Sequence, residues 1–360
     1  MKKTVVLMGP QHPVLVEPVV LDLVLEDEKV VDAIPTIGYV HRGLESLVER
    51  IEFSEFGYVA ERICGICSFM HGMGYSMALE QIMKVEVPER ARYLRVIWAE
   101  MSRLQSHLLW LGLGADALGF ENLFMQCWKI RETLLDIFEK TTGGRIIHSV
   151  NKIGGVKRDI SDADLAGILA KLGEIEAAFG DTARVFLDDP SIHHRLAGLG
   201  LLSRDDVQRL GAVGPMARAS GLAFDVRCAG GAGYEKLKFD PIVETAGDCL
   251  ARCKVRVREI PQSIDLIRQA VALMPKGEQP IDVKVKGFPN GECFLRLEQP
   301  RGEVVYYVKA NGTKLLERYR ARTPTFANLP AMIELVKGVE LADVASIILT
   351  IDPCISCTER

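Results

Sequence analysis

Apolar positions along this chain recur with two different periods, and the change of period divides it. Residues 14–25 and 30–37 are rich in β-branched side chains and flank the acidic stretch Glu26-Asp27-Glu28-Lys29, which predicts an N-terminal β-hairpin. From residue 43 onward, apolar residues return every three or four positions over 43–53, 69–83, 88–113, 122–140, 161–186 and 245–272. That spacing predicts helices, with Pro88 placed where a helix would begin. Further on, 281–285, 293–297 and 303–309 alternate as strands do. Gly/Pro-rich breaks fall at 143–144, 154–155, 211–215 and 230–233; none is a low-complexity linker and no segment repeats. The pattern predicts an α+β, predominantly helical fold in a single domain over 1–360: a β-rich segment at 1–40, a bundle of long helices at 41–280 and a mixed segment at 281–360.

Composition narrows the classes of function. With 48% hydrophobic residues in 360, the chain can bury a sizeable core. A formal net charge of -4 and no long Lys/Arg run argue against a general nucleic-acid binder. The apolar run after Met1-Lys2-Lys3 breaks at Gly9-Pro10, so it predicts neither a secretory signal nor a spanning helix, and no later run reaches membrane length. The expectation is a soluble, cytoplasmic chain, with docking onto a membrane-embedded partner left open. Nine cysteines in such a chain point to metal or redox chemistry before disulfides.

Four of those cysteines form two equally spaced pairs, Cys64-Gly65-Ile66-Cys67 and Cys354-Ile355-Ser356-Cys357. Cys67 falls at the expected N-terminus of the following helix, where free N–H groups and positive potential favour a thiolate. Bringing the pairs together into one four-thiolate site costs roughly 5 kcal/mol in chain entropy, which a strongly bound metal could offset. On thiol count alone, a structural zinc site satisfies the spacing.

Other segments favour a different metal. Gly9-Pro10-Gln11-His12-Pro13, His41-Arg42-Gly43-Leu44-Glu45, Glu61 through Cys67, Ser106-His107-Leu108-Leu109-Trp110, Pro300-Arg301-Gly302-Glu303 and Asp352 through Arg360 together resemble the large, catalytic subunit of nickel-iron hydrogenases. The resemblance runs end to end and is to the short form found in membrane-bound, ferredoxin-linked energy-converting hydrogenases. The first and third signatures also resemble the quinone-site subunit of respiratory complex I, a relative that has no nickel site and lacks these cysteine pairs.

The resemblance implies that Cys64 and Cys354 are terminal nickel ligands, while Cys67 and Cys357 bridge nickel to an iron carrying carbonyl and cyanide. It implies heterolytic H₂ cleavage, with the proton passing to the Cys354 sulfur or the Arg301 guanidine. Asp352 would orient Arg301 by a charge-assisted contact. Glu17, placed by its neighbours in a buried strand, matches the family's proton-relaying glutamate. The Glu-Pro found here, where uptake enzymes carry Glu-Gly-His, leaves the path beyond it open. Glu45 matches a ligand of a second metal in uptake enzymes; because Arg360 stands where those enzymes have a terminal histidine, a Glu45–Arg360 charge pair is the alternative.

Histidines 12, 41, 71 and 107 lie in or near the signatures but none pairs with another at metal-binding helical spacing, so they read as structural, with a proton role open for His107. The basic run Arg252 to Arg258 reads as a solvated face, and Cys249 and Cys253 as packed thiols. Cys127, Cys228 and Cys293 are likewise unclustered, so no iron-sulfur motif remains in this chain. Electrons would pass through a partner small subunit with a proximal 4Fe-4S cluster, toward ferredoxin-like subunits and membrane ion-translocating subunits.

Overall fold

The computed structural model describes residues 3–360. The N-terminal segment is a three-stranded antiparallel sheet, β1 (Thr4–Met8), β2 (Val20–Glu26) and β3 (Lys29–Thr36), in that order. The expected hairpin is β2–β3; the additional β1 pairs Met8 with Leu21 and Thr4 with Leu25. Leu21, Leu23 and Leu25 alternate inward, as a half-buried strand requires.

The helical centre follows the apolar periodicity closely. It comprises α1 (Phe56–Glu61), α2 (Ser68–Met83), α3 (Glu89–Ala117), α4 (Glu121–Thr142), α5 (Asp162–Asp188), α6 (Pro190–Leu196), α7 (Arg204–Leu210), α8 (Pro215–Arg218) and α9 (Cys249–Leu273), with a minimal β4–β5 pair (Asn151–Lys152, Gly155–Val156). Pro88 is the N-cap of α3, and Ser161 caps α5 by accepting the Asp164 N–H. α3 is buried on every face and is the axis of the bundle, packed against α4 and α9.

The C-terminal part is an antiparallel sheet, β6 (Asn290–Gln299), β7 (Gly302–Asn311) and β8 (Leu316–Arg322), followed by α10 (Pro324–Leu335), α11 (Leu341–Ile351) and α12 (Ile355–Glu359). The architecture is the predicted α+β, predominantly helical one.

Several local expectations are corrected. Residues 43–53 form only a single 3₁₀ turn, Ser46–Glu49, because their backbone is engaged elsewhere: Leu44 N–H donates to Arg360 O and Phe53 N–H to Lys314 O. Residues 281–285 make no strand; Val156 N–H and Val283 N–H tie them to the β4–β5 loop instead. Glu17 lies in a bend ahead of β2 rather than in a strand. Arg252 and Arg256, expected on a solvated face, are buried: Arg252 donates to Gly200 O, Gly247 O and Thr350 Oγ1, and Arg256 stacks over Trp110 with 4.4 Å to the ring centroid.

Candidate metal centre

Both cysteine pairs sit at helix starts. Cys67 is the N-cap of α2 and Cys354 the N-cap of α12, so each pair is presented at a positive helix end. The loops meet: Cys64 Sγ lies 3.4 Å from Cys354 Sγ, and Cys67 Sγ 3.3 Å from Cys357 Sγ. These separations are far beyond the ~2.05 Å of a disulfide, and all four thiols are free and buried. The loops are fastened by Arg42, whose guanidinium donates to Arg62 O, Ile63 O and Ser356 O at 2.8 to 3.0 Å.

The four thiols divide electrostatically. S–H groups of Cys354, Cys357 and Cys67 hold Cys64 well below the ordinary thiol value, and Cys357 pulls Cys354 down to about 7. Burial pushes Cys67 and Cys357 well up. Negative charge therefore concentrates on Cys64 and to a lesser degree on Cys354, and filling the site with a metal must expel the protons that the other thiols hold.

Arg301 occupies the two-residue turn between β6 and β7, as the sequence suggested. Its Nε donates to Asp352 O at 2.9 Å and its Nη2 to Asp352 Oδ1 at 2.7 Å. Asp352 closes α11 in the left-handed region, φ 59°, which aspartate tolerates. Despite burial, which opposes its charge, Asp352 and the thiolates of Cys354 and Cys64 hold Arg301 firmly protonated. Its Nη1 and Asp352 Oδ2 are buried without a partner among the described residues.

A cluster of soft sulfur donors with an unpaired guanidinium N–H beside it fits a thiolate-ligated metal carrying small polar ligands. Cys64, Cys67, Cys354 and Cys357 are the residues that would hold it.

Glu17 reaches the same place from the other side. Its carboxylate accepts the N–H groups of Ile355 and Ser356, the latter at 2.9 Å, and so caps α12. Burial, then the negative charge of Cys354, raises its pKa. Glu45 lies apart, against Arg360, with Nε to Oε1 at 2.7 Å, the charge pair anticipated as the alternative to a second metal.

His71, which the sequence marks as structural, also stands against the thiols, a placement not anticipated. It is fully buried, with Nε2 3.4 Å from Cys357 Sγ and Nδ1 3.0 Å from Tyr306 Oη, and burial pushes its pKa down to about 4. The available signal was Cys67-x-x-x-His71, one helical turn on the same face of α2. His107, by contrast, is bound to Glu259 at 2.7 Å inside the bundle. Of the remaining cysteines, burial pushes Cys127 and Cys253 up to about 12, leaving them inert thiols.

Comparison with known proteins gives the family. Residues 117–287 and 282–360 match the family model of the respiratory-chain NADH dehydrogenase 49 Kd subunit, and 42–113 match that of nickel-dependent hydrogenases. The chain is 39% identical over 355 residues to a carbon monoxide-induced hydrogenase of Rhodospirillum rubrum, covering 98% of each.

The chain belongs to this hydrogenase and complex I family.

Its relatives within the family include membrane-bound hydrogenases as well as complex I subunits. The alpha subunit of a membrane-bound hydrogenase of Pyrococcus furiosus is 37% identical, covering 98% of this chain and 86% of that one. Among solved structures, a chain of the membrane-bound sulfane sulfur reductase, an archaeal respiratory membrane complex, superposes with a TM-score of 0.94 at 30% identity, covering 99% of this chain and 98% of that one. Family membership makes this an oxidoreductase subunit, and its relatives include parts of membrane complexes. No helix among the described residues is long and apolar enough to cross a membrane.

Proposed function

We propose that this chain is the catalytic subunit of an energy-converting nickel-iron hydrogenase, interconverting H₂ with protons and electrons. The observation that carries the reading is the convergence of four buried thiols from Cys-x-x-Cys pairs 290 residues apart, beside the Arg301–Asp352 pair. When bound, a nickel-iron centre with carbonyl and cyanide ligands would supply the Lewis-acid activation of H₂ and the exchange of its electrons.

The chain's own residues would do the rest. Cys64, Cys67, Cys354 and Cys357 hold the metals. Arg301, fixed by Asp352, keeps its Nη1 group unpaired to steady polar ligands in a water-poor site. Cys354 would take the proton at Sγ, and Glu17, whose carboxylate accepts the Ile355 and Ser356 N–H groups and whose pKa burial raises, would carry it onward. Electrons would leave through the proximal 4Fe-4S cluster of a small subunit toward ferredoxin. Membrane subunits would couple that flow to ion translocation, with this chain docked on the cytoplasmic face.

The long match to the 49 Kd subunit favours a second reading, quinone reduction without a metal centre. All four thiols argue against it. The deciding experiment is an infrared spectrum of the anaerobically purified complex. One carbonyl and two cyanide bands that shift under H₂ support the hydrogenase; quinone-dependent turnover with no such bands in a nickel-replete complex supports the rival.

A further inference from the structure

Behind the Pro300–Arg301 turn lies a group of buried charges that the proposed reaction does not use. On α3, Glu100 and Arg103 face Glu259 of α9, Arg218 of α8, Asp225 and Arg227 of the following loop, and Glu298 of β6; all are buried. Glu100 pairs with Arg227 at 3.0 Å, Arg227 with Asp225 at 2.7 Å, and Arg218 with Glu259 at 2.8 Å and Glu298 at 2.7 Å. Moving any one of these side chains leaves a neighbour charged and unpaired in a low dielectric, so the network is stiff.

Arg103 is its point of contact with the turn. Its Nη2 donates to Glu298 O at 2.9 Å and its Nη1 to Gln299 O at 3.2 Å, the last two carbonyls of β6 before the turn. Its Nε faces Glu100 at 3.4 Å, and Nη1 also lies 3.9 Å from Glu259. From the gripped residues the contacts run forward into the metal centre: Gln299 Nε2 lies 3.2 Å from Tyr306 Oη and 3.5 Å from His71 Nε2, and Arg301 holds Asp352.

The turn is also confined by close backbone packing. Gly214 passes so close that a Cβ there would lie 2.4 Å from Arg301 O. The turn is thus both pressed by backbone and gripped by a guanidinium.

We propose that Arg103 is a positioning residue for Arg301: its two-pronged grip on Glu298 and Gln299 transmits the rigidity of the buried ion network to the turn and sets where the free Arg301 N–H stands. This rests on the role assigned to Arg301 above. A lysine keeps the charge but cannot donate to two adjacent carbonyls in a fixed plane.

The test is Arg103→Lys in the whole complex, with metal content, infrared bands and steady-state kinetics measured together. The expected result is unchanged nickel and iron, displaced or broadened cyanide bands, and a kcat lowered by about 10- to 100-fold with the KM for H₂ little changed. Wild-type band positions with kcat within about twofold would overturn the proposal. A second variant, Arg103→Gln with Glu100→Gln, removes a cation and an anion together and limits the folding penalty. Shifted bands there support positioning, whereas unshifted bands together with metal loss in the lysine variant would reduce Arg103 to a structural ion. A wild-type complex without carbonyl or cyanide bands would instead defeat the hydrogenase reading. In that case amide exchange at Arg301 and Gly302, faster in Arg103→Lys only if the grip holds the turn, still decides the role of Arg103.

Discussion

Glu45 and Arg360, 315 residues apart, meet through a 2.7 Å contact from Nε to Oε1, while Arg320 Nη1 takes the other carboxylate oxygen at 2.8 Å. Burial works against the charged carboxylate, but the Ala321 N–H and the Arg360 guanidinium outweigh it and lower the Glu45 pKa. A cation bound at Glu45 would have to displace a guanidinium already in place. The pair also fastens α12, and hence Cys354 and Cys357, to the strap over residues 40–45. Arg360→Ala should therefore cost about 2 kcal/mol in stability, since a mostly buried, charge-assisted contact is lost. A denaturation midpoint unchanged from wild type would show that the pair contributes nothing to holding α12.

Arg301→Lys separates charge from geometry. An ammonium on a shorter donor set cannot bond Asp352 O, bond Asp352 Oδ1 and still keep a rigid free N–H beside the thiols. Both metals should be retained while H₂ turnover falls by about 100-fold or more. Near-normal activity at full nickel content would remove Arg301 from its proposed role.

Glu17→Gln tests the proton path. The amide oxygen can still accept the N–H groups of Ile355 and Ser356, so α12 keeps its cap, but the side chain cannot take up a proton. The expected outcome is intact metal content with turnover reduced by about 100-fold. Full activity in this variant would direct the search to another exit from Cys354.

Much of this was legible in the sequence because the period of apolar residues is a local signal. α3, α4 and α5 each begin within one residue of their expected starts. The Cys-x-x-Cys pairs and the Pro300–Arg301 turn were legible for a similar reason, being short and chemically distinctive. Long-range partners were not. Residues 43–53 carry helical spacing, yet their N–H groups are claimed by Arg360 and Lys314, which no local window contains. Arg252 and Arg256 look like surface charges until Gly200, Thr350 and Trp110 close around them. His71 is named as structural, but its contact with Cys357 is invisible in the sequence because its partners are a cysteine and a tyrosine from distant elements rather than a second histidine.

His148 gives a prediction about acid stability. Its ring stacks on Phe138, 4.1 Å between centroids and 20° between planes, with Nδ1 3.1 Å from Gly144 O. The short contact to a carbonyl fits a neutral imidazole donating from Nδ1. Burial pushes the pKa down to about 4 from an ordinary 6.5, and the Gly144 carbonyl only partly offsets this. Below pH 6.5 the unfolded chain takes up a proton at this position before the folded one does, so stability falls as pH drops from 6.5 toward 4 and is level above that range. The full effect is at most about 3 kcal/mol for this residue. His148→Asn keeps a donor near the Gly144 carbonyl but cannot titrate. It should cost about 1 kcal/mol at pH 7 through lost stacking and make the decline between pH 6.5 and 4 shallower, His71 supplying the remainder. Thermal denaturation across that range checks it: if the slope is as steep in the variant as in the wild type, His148 is not the group being protonated, and the buried His71, pushed down to about 4 by the same cause, becomes the one to examine.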